Sequence, residues 1–172
     1  MLELRKKTAT AATARKWIGQ KGLDGVMAKS LALTYQPGKR AMLKYKVWKT
    51  ADCVLGGIYH KKGTRSLDFL LLGLYDGEGL LHYVGRARIP TGGEAMGGIL
   101  EQLAGEGGFT GRRPGSKDRW SGAERDYVPL RPLIVAEVST ELVSADFMRH
   151  GARVLRIRQD KNPDDCSIDQ IR

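Results

Sequence analysis

Apolar and polar positions along the chain predict more strand than helix. Five segments have the short apolar runs or the two-residue alternation typical of β-strands: 54–59, 67–75, 79–86, 133–138 and 153–157. The sequence Asp76-Gly77-Glu78-Gly79 predicts a hairpin turn between the second and third segments. Residues 94–104 carry apolar side chains at helical spacing and predict one short helix between the third and fourth.

The first 48 residues have a different pattern. Residues 9–18 are rich in alanine and basic side chains and predict a weak helix, whereas 25–29 and 42–48 predict short strands. In the rest of the chain, five strands with a helix between the third and fourth follow the order of an OB-fold barrel. We therefore expect a mainly β protein, in which a short α+β strip in residues 1–48 precedes a five-stranded OB-fold barrel with one helix in residues 49–172.

Charge and length narrow the possible functions. The 172 residues include 29 Lys and Arg against 19 Asp and Glu, so the formal net charge is +10. Such a charge favours nucleic acids, nucleotides or an anionic surface as partners, although it also serves solubility alone. The longest apolar run, 69–74, is far shorter than the ~20 residues of a membrane span, and residues 1–30 contain no apolar signal-peptide core. We expect a cytoplasmic protein with no membrane partner, in which Cys53 and Cys166 are free thiols.

Two clusters near the N-terminus suit phosphate chemistry. In Asp24-Gly25-Val26-Met27-Ala28-Lys29, a carboxylate stands before an apolar strand and could hold Mg²⁺, although an Asp-Gly turn without a ligand is the simpler interpretation. Lys44 and Lys46 take alternate positions of one predicted strand, so both ammonium groups leave the same face and suit a phosphate chain. Lysines that guard an exposed strand edge would give the same pattern.

A third cluster follows the last predicted strand, in Arg156-Ile157-Arg158-Gln159-Asp160-Lys161. Arg158 offers a planar fork for phosphate oxygens, and Lys161 offers a point charge. Asp160 could orient the arginine. A solvated loop of mixed charge is the alternative.

Together, and in this order, the three clusters resemble motifs IV, V and VI of the ATP-dependent DNA ligases, in the covalent nucleotidyltransferase superfamily. Motif IV is similar to residues 24–29, motif V to Lys44-Tyr45-Lys46, and motif VI to Arg158-Gln159-Asp160-Lys161. The flanking segments 120–132 and 149–153 look like the OB domain of bacterial end-joining and repair ligases.

The resemblance extends over residues 17–171 and implies a domain assignment. Residues 1–48 would be the last strip of the adenylation domain, and residues 49–172 would be the OB domain.

The resemblance also implies an activity. The family seals nicks in duplex DNA with ATP and Mg²⁺ or Mn²⁺: a lysine takes up AMP, AMP passes to the 5′-phosphate, and the 3′-hydroxyl displaces it. By similarity, Asp24 would bind the metal, and Lys44 and Lys46 would contact the α-phosphate. Orientation of the pyrophosphate would come from Arg158, Asp160 and Lys161. Phosphates of nicked DNA would be held, without sequence preference, by the basic loop residues Arg112, Arg113, Lys117 and Arg119.

One motif of the family is missing from these residues. In the family, the nucleophilic lysine lies in Lys-x-Asp-Gly. This sequence has two Asp-Gly pairs, and the residue two positions before the aspartate is Gly22 in one and Leu74 in the other. We therefore expect part of a ligase that is inactive by itself and works with a separate adenylation-domain polypeptide on DNA in the nucleoid. The alternative is a non-catalytic DNA-binding OB module from a truncated ligase.

Overall fold

The structure is a computed structural model that describes residues 6–20, 23, 25–89, 96–115, 126–141 and 143–172. It divides into two compact units, Met1–Trp48 and Lys49–Arg172.

The first unit contains helix α1 (Ala11–Trp17) and the antiparallel strands β1 (Gly25–Ala28) and β2 (Leu43–Lys46). Glycine is required at the start of β1, because Gly25 has φ +148° and a Cβ there would collide with the carbonyl oxygen of Tyr45. The sheet has only two strands, so apolar side chains such as Leu43 remain exposed.

The second unit is a β-barrel. In chain order its described elements are β3 (Lys49–His60), β4 (Leu67–Tyr75), β5 (Leu81–Arg88), α2 (Met96–Gln102), β6 (Val128–Pro129), β7 (Val135–Thr140), β8 (Ala152–Ile157) and two 3₁₀ helices, Pro163–Asp165 and Ile168–Ile171.

Five of these strands form a closed ring. β3 pairs with β4, β4 with β5, β5 with β8, β8 with β7, and β7 with β3 again. Only the β5–β8 pairing within this ring is parallel. The ring, with α2 between its third and fourth strands, confirms the expected mainly β fold with a five-stranded OB-fold barrel. β6 adds a two-residue pairing to β3.

Three strands of the ring differ from the prediction by two or more residues at a boundary, and β7 covers Val135–Thr140 rather than residues 133–138. β3 begins at Lys49 rather than residue 54, because its polar first half pairs with β7 and only alternate residues there are buried. β5 begins at Leu81 rather than residue 79. Oδ1 of Asp76 accepts hydrogen bonds from the backbone N–H groups of Glu78 and Leu80, and these bonds keep residues 78–80 in the turn.

β3 bends so that it can pair with two neighbours. Gly56 is the extra residue in its register with β4, between Leu55 and Gly57. A Cβ at Gly56 would lie 2.6 Å from Cε1 of Phe109, so this ring fills the space that the glycine leaves.

The barrel interior is filled by apolar side chains from every strand of the ring. Leu55, Leu72, Val84, Val138 and Val154 are buried there. The C-terminal segment closes one side of this core with Ile168 and Ile171, and the N–H of Tyr75 donates to the carbonyl of Cys166 at 2.8 Å. Within the described ranges, every helix falls short of the length and hydropathy that a membrane span requires.

We predict two unreactive thiols in the folded protein. Cys53 and Cys166 are buried and form no disulfide. Burial raises the pKa of the Cys53 thiol far above its ordinary range and that of Cys166 to about 11. A colorimetric thiol assay at pH 8 should therefore proceed slowly on the native protein, and unfolding without reductant should release both thiols. A count below two after unfolding would contradict this.

Candidate functional site

Arg158 holds two carboxylates at the end of β8. Its backbone N–H donates to the carbonyl of Val135 at 2.8 Å, which fixes the residue beside β7. Its Nε and Nη2 donate to the two carboxylate oxygens of Asp160, each at 2.9 Å. Its Nη1 donates to the carboxylate of Asp52 at 3.2 Å. Only 19% of the Arg158 side chain is exposed, so the guanidinium group is held in one orientation.

Asp52 is a member of this cluster that the sequence analysis missed. Gln170, in the last 3₁₀ helix, binds both backbone groups of Asp52: its Oε1 accepts from the N–H at 2.9 Å, and its Nε2 donates to the carbonyl at 3.2 Å. The C-terminal segment thus supports the strand directly behind the carboxylate. The sequence signal that could have indicated a role for Asp52 is its place between the apolar residues Ala51 and Cys53 of β3.

The charges in this cluster are unequally neutralised. The hydrogen bonds from Arg158 lower the pKa of Asp160 to about 2, and the same bonds raise the pKa of Arg158. Glu137, which lies opposite Asp52 on β7, accepts from Nε of Arg156 at 2.6 Å. Lys161 has no ion pair in the part of the chain that the structure describes. Its ammonium group therefore remains available to an anionic ligand.

The first unit contains the lysines predicted to contact phosphate. β2 places Lys44 opposite Met27 and Lys46 opposite Gly25, so the two side chains leave the same face of the strand, about 7 Å apart along it. Lys44 is exposed and Lys46 is half-buried. Two ammonium groups at this spacing have the chemistry to bind a phosphate chain.

No metal centre can be assigned to the described residues. Asp24, the predicted ligand, lies outside them, and they contain no group of three His, Cys, Asp or Glu side chains that could hold a metal ion. Binding of Mg²⁺ or Mn²⁺ at Asp24 stays a prediction.

The basic loop is more structural than its composition suggested. Arg112 donates through Nε to the carbonyl of Tyr83 at 2.8 Å and through Nη2 to the carbonyl of Asp146 at 2.6 Å. Nε of Arg113 donates to the carbonyl of Phe109 at 3.2 Å. Both side chains are exposed, but Arg112 ties the loop to β5 and Arg113 ties it to the backbone four residues earlier. Lys117 and Arg119 lie outside the described residues.

Comparison with known proteins gives relatives of one kind. DNA ligase C of Mycobacterium tuberculosis is 37% identical over an alignment 183 positions long, which covers 95% of this chain and 51% of that protein. The crystal structure of the ligase domain from M. tuberculosis LigD superposes with a TM-score of 0.59 at 28% identity, over 90% of this chain and 49% of that one. A mycobacterial DNA ligase D complexed with ATP and MES superposes with a TM-score of 0.51 at 28% identity, over 90% and 48%. No family model matches the chain.

These similarities confirm the resemblance to the C-terminal part of ATP-dependent DNA ligases. The chain spans about half the length of the curated relative and of the ligase structures that it matches.

We predict an acid-stable ion pair between Arg158 and Asp160. Because the pKa of Asp160 is lowered from 3.8 to about 2, the pair should stabilise the fold above pH 4 and lose this effect as the pH falls from about 4 to about 2. Carbon-detected NMR titration of the Asp160 carboxyl group should give the low pKa, and Arg158→Gln should return it towards 3.8. An unchanged titration in the variant would contradict the pairing.

We also predict that Arg112 stabilises the fold. Arg112→Lys keeps the charge but removes the donors to the carbonyls of Tyr83 and Asp146. We expect the free energy of unfolding to fall by about 1–2 kcal/mol in denaturant titrations. Arg65→Lys, in the exposed β3–β4 connection, is the matched control and should have no measurable effect.

Proposed function

We propose that this chain acts as the C-terminal part of an ATP-dependent DNA ligase that seals nicks in duplex DNA. The observation that supports this most directly is the ordered cluster around Arg158, because it lies in the segment similar to motif VI and leaves the Lys161 ammonium group available. The similarity to ligases over 95% of the chain supports the same assignment. Residues 1–48 would then be the last strip of the adenylation domain and residues 49–172 the OB domain.

The chain's own residues would act on the phosphates of ATP and of DNA. Lys44 and Lys46 would neutralise the α-phosphate oxygens, and Asp24 would supply an oxygen ligand for Mg²⁺ or Mn²⁺. Lys161 would bind the leaving pyrophosphate as a point charge, which favours charge development at the leaving oxygens. When ATP binds, it supplies the AMP group that becomes attached to the nucleophilic lysine and then to the DNA.

Arg158 and Asp160 would act as one unit in this scheme. Because the guanidinium group binds Asp160 and Asp52 at the same time, the Arg158 side chain needs no reorganisation to hold the turn that carries Lys161. Asp52 and Gln170 would be positioning residues, since they contact Arg158 and the strand behind it rather than a substrate.

The 172 residues contain no Lys-x-Asp-Gly, so the adenylated lysine would come from a polypeptide segment outside them. We propose that a separate adenylation-domain polypeptide supplies it. A non-catalytic DNA-binding module is the competing function, and trans-adenylation distinguishes the two.

We predict that this chain takes up no AMP itself but supports labelling of a partner. With α-labelled ATP and Mg²⁺, the chain should stay unlabelled, because none of its lysines is positioned by Lys-x-Asp-Gly. When the half of a ligase of this family that carries Lys-x-Asp-Gly is added, the label should appear on that half. Lys161→Ala should slow this labelling roughly 100-fold.

The matched control is Lys62→Ala in the exposed β3–β4 connection, which should leave the labelling rate unchanged. AMP on a lysine of this chain would refute the argument from the missing motif. Labelling of the partner that proceeds equally well without this chain would favour the non-catalytic DNA-binding module.

A further inference from the structure

The last 3₁₀ helix, Ile168–Ile171, contacts β3 through the side-chain amide of Gln170. Oε1 of this amide accepts from the backbone N–H of Asp52 at 2.9 Å, and Nε2 donates to the carbonyls of Asp52 and Ser167, each at 3.2 Å. Gln170 is exposed, so water alone could satisfy its amide, and fixing a glutamine side chain costs conformational entropy. Three hydrogen bonds to the protein therefore indicate a defined role for this side chain.

Gln170 takes the place of a neighbouring strand beside β3. The N–H and C=O groups of one strand residue point to the same side, and those of Asp52 both meet Gln170. The register of β3 with β4 begins only at Val54, so β4 offers no paired residue opposite Asp52. The amide of Gln170 carries the same donor and acceptor as a peptide group and satisfies the backbone of Asp52 at this position.

The helix that carries Gln170 is itself fixed to the barrel at two points. Ile168 and Ile171 are buried in the core. Directly after the helix, Nη2 of Arg172 donates to the carboxylate of Asp146 at 3.1 Å. The position of the Gln170 amide is therefore set by the packing of the barrel.

Asp52 connects this helix to the turn that carries Lys161. The carboxylate of Asp52 accepts from Nη1 of Arg158 at 3.2 Å, and Arg158 binds both oxygens of Asp160, the residue before Lys161. The side chains of Asp52 and Arg158 are each only 19% exposed, so water competes little for their contact. A displacement of Asp52 is therefore passed on to the turn.

We propose that Gln170 is a positioning residue for the Lys161 ammonium group and acts on it through Asp52 and Arg158. The inference rests on the proposed function for the identity of the anion, the leaving pyrophosphate. A cation stabilises a leaving group only where the charge develops, and a displacement of about 1 Å can slow such a step roughly 100-fold. Gln170, which lies outside the segments similar to the ligase motifs, thereby contributes to the rate.

The test is the rate at which the full chain supports AMP labelling of the half of a ligase of this family that carries Lys-x-Asp-Gly. Gln170→Met keeps the length of the side chain and removes its three hydrogen bonds. The maximal labelling rate should fall roughly 5- to 20-fold. The ATP concentration at half-maximal rate should change by less than about twofold, because Lys161 acts as charge develops on the leaving group.

The concentration of the chain separates positioning from loss of folded protein. If Gln170→Met only reduced the amount of folded chain, an excess of the variant would restore the maximal rate. A displaced Lys161 ammonium group is not corrected by adding more of the same variant, so the rate should stay low.

A double-variant cycle decides whether Gln170 acts through Lys161. In the Lys161→Ala background, Gln170→Met should slow labelling by less than about a further twofold, because the group that it positions is already missing. Asp52→Asn keeps the backbone groups that bind Gln170 but removes the charge that meets Arg158. It should therefore slow labelling in the unaltered chain by a factor similar to that of Gln170→Met.

Asp169→Asn is the matched control on the same helix. Its carboxylate is exposed and pairs with Arg172, so the variant should keep the labelling rate within about twofold. Thermal unfolding followed by circular dichroism should show that each variant is folded in the assay. If Gln170→Met does not fold, Gln170→Glu tests the same contact, because it keeps the acceptor for the N–H of Asp52 and loses the donor to its carbonyl.

Hydrogen exchange gives a readout that needs no partner polypeptide. The Asp52 amide and the Arg158 Nε–H should exchange slowly in the unaltered chain and at least about 10-fold faster in Gln170→Met. The Leu55 amide, which donates to the carbonyl of Ile134 at 2.9 Å, should keep its protection in both proteins.

Two results would overturn the inference. The first is an unchanged maximal rate in Gln170→Met although the Asp52 amide exchanges faster. The second is a full additional loss of rate when Gln170→Met is combined with Lys161→Ala.

Failure of the proposed function has a different signature, since the unaltered chain would then support no labelling of the partner. Exchange at Nε of Arg158 decides the inference in that case. Faster exchange in Gln170→Met would support positioning of the turn, and unchanged exchange would refute it.

Discussion

The second unit depends on a single strand pairing with two neighbours at once. β3 must bend to join β4 along one half and β7 along the other, and the extra residue at Gly56 makes this possible. The bend brings Gly56 against the ring of Phe109, so one glycine links barrel closure to core packing. The same strand carries Asp52 on its outer face, where it meets the end of β8. Closure of the barrel therefore also fixes the geometry of the motif around Arg158.

Pairing within that motif decides which charge remains available. Arg158 is engaged by Asp52 and Asp160, and Arg156 is engaged by Glu137. Arg158 serves the fold first, since its Nε, Nη1 and Nη2 atoms all donate to carboxylates, whereas Arg156 donates through Nε alone. Lys161 follows directly after Asp160 and has no such partner among the described residues. The structure thus separates Arg158, which holds the turn, from Lys161, which can bind an anion.

The same distinction applies to the arginines on the barrel surface. Arg112 lies in a loop whose composition indicated DNA binding, yet two of its donors are occupied by backbone carbonyls. Arg88 and Arg153, to which the sequence analysis gave no role, lie opposite each other on β5 and β8. A net charge of +10 therefore gives only the excess of cations over anions, and the partners of each cation determine whether it can bind a ligand.

Local patterns were enough to predict the strands, the helix between the third and fourth of them, and the segments that resemble the ligase motifs, because side-chain alternation and turn residues act over a few positions. Barrel closure, the contact between Asp52 and Arg158, and the meeting of Phe69, Arg88 and Arg153 were decided by tertiary structure alone. Asp52 and Arg158 are 106 residues apart, and Phe69, Arg88 and Arg153 become neighbours only through the register of three strands. Register follows from the packing of the whole barrel, which no short stretch of sequence contains.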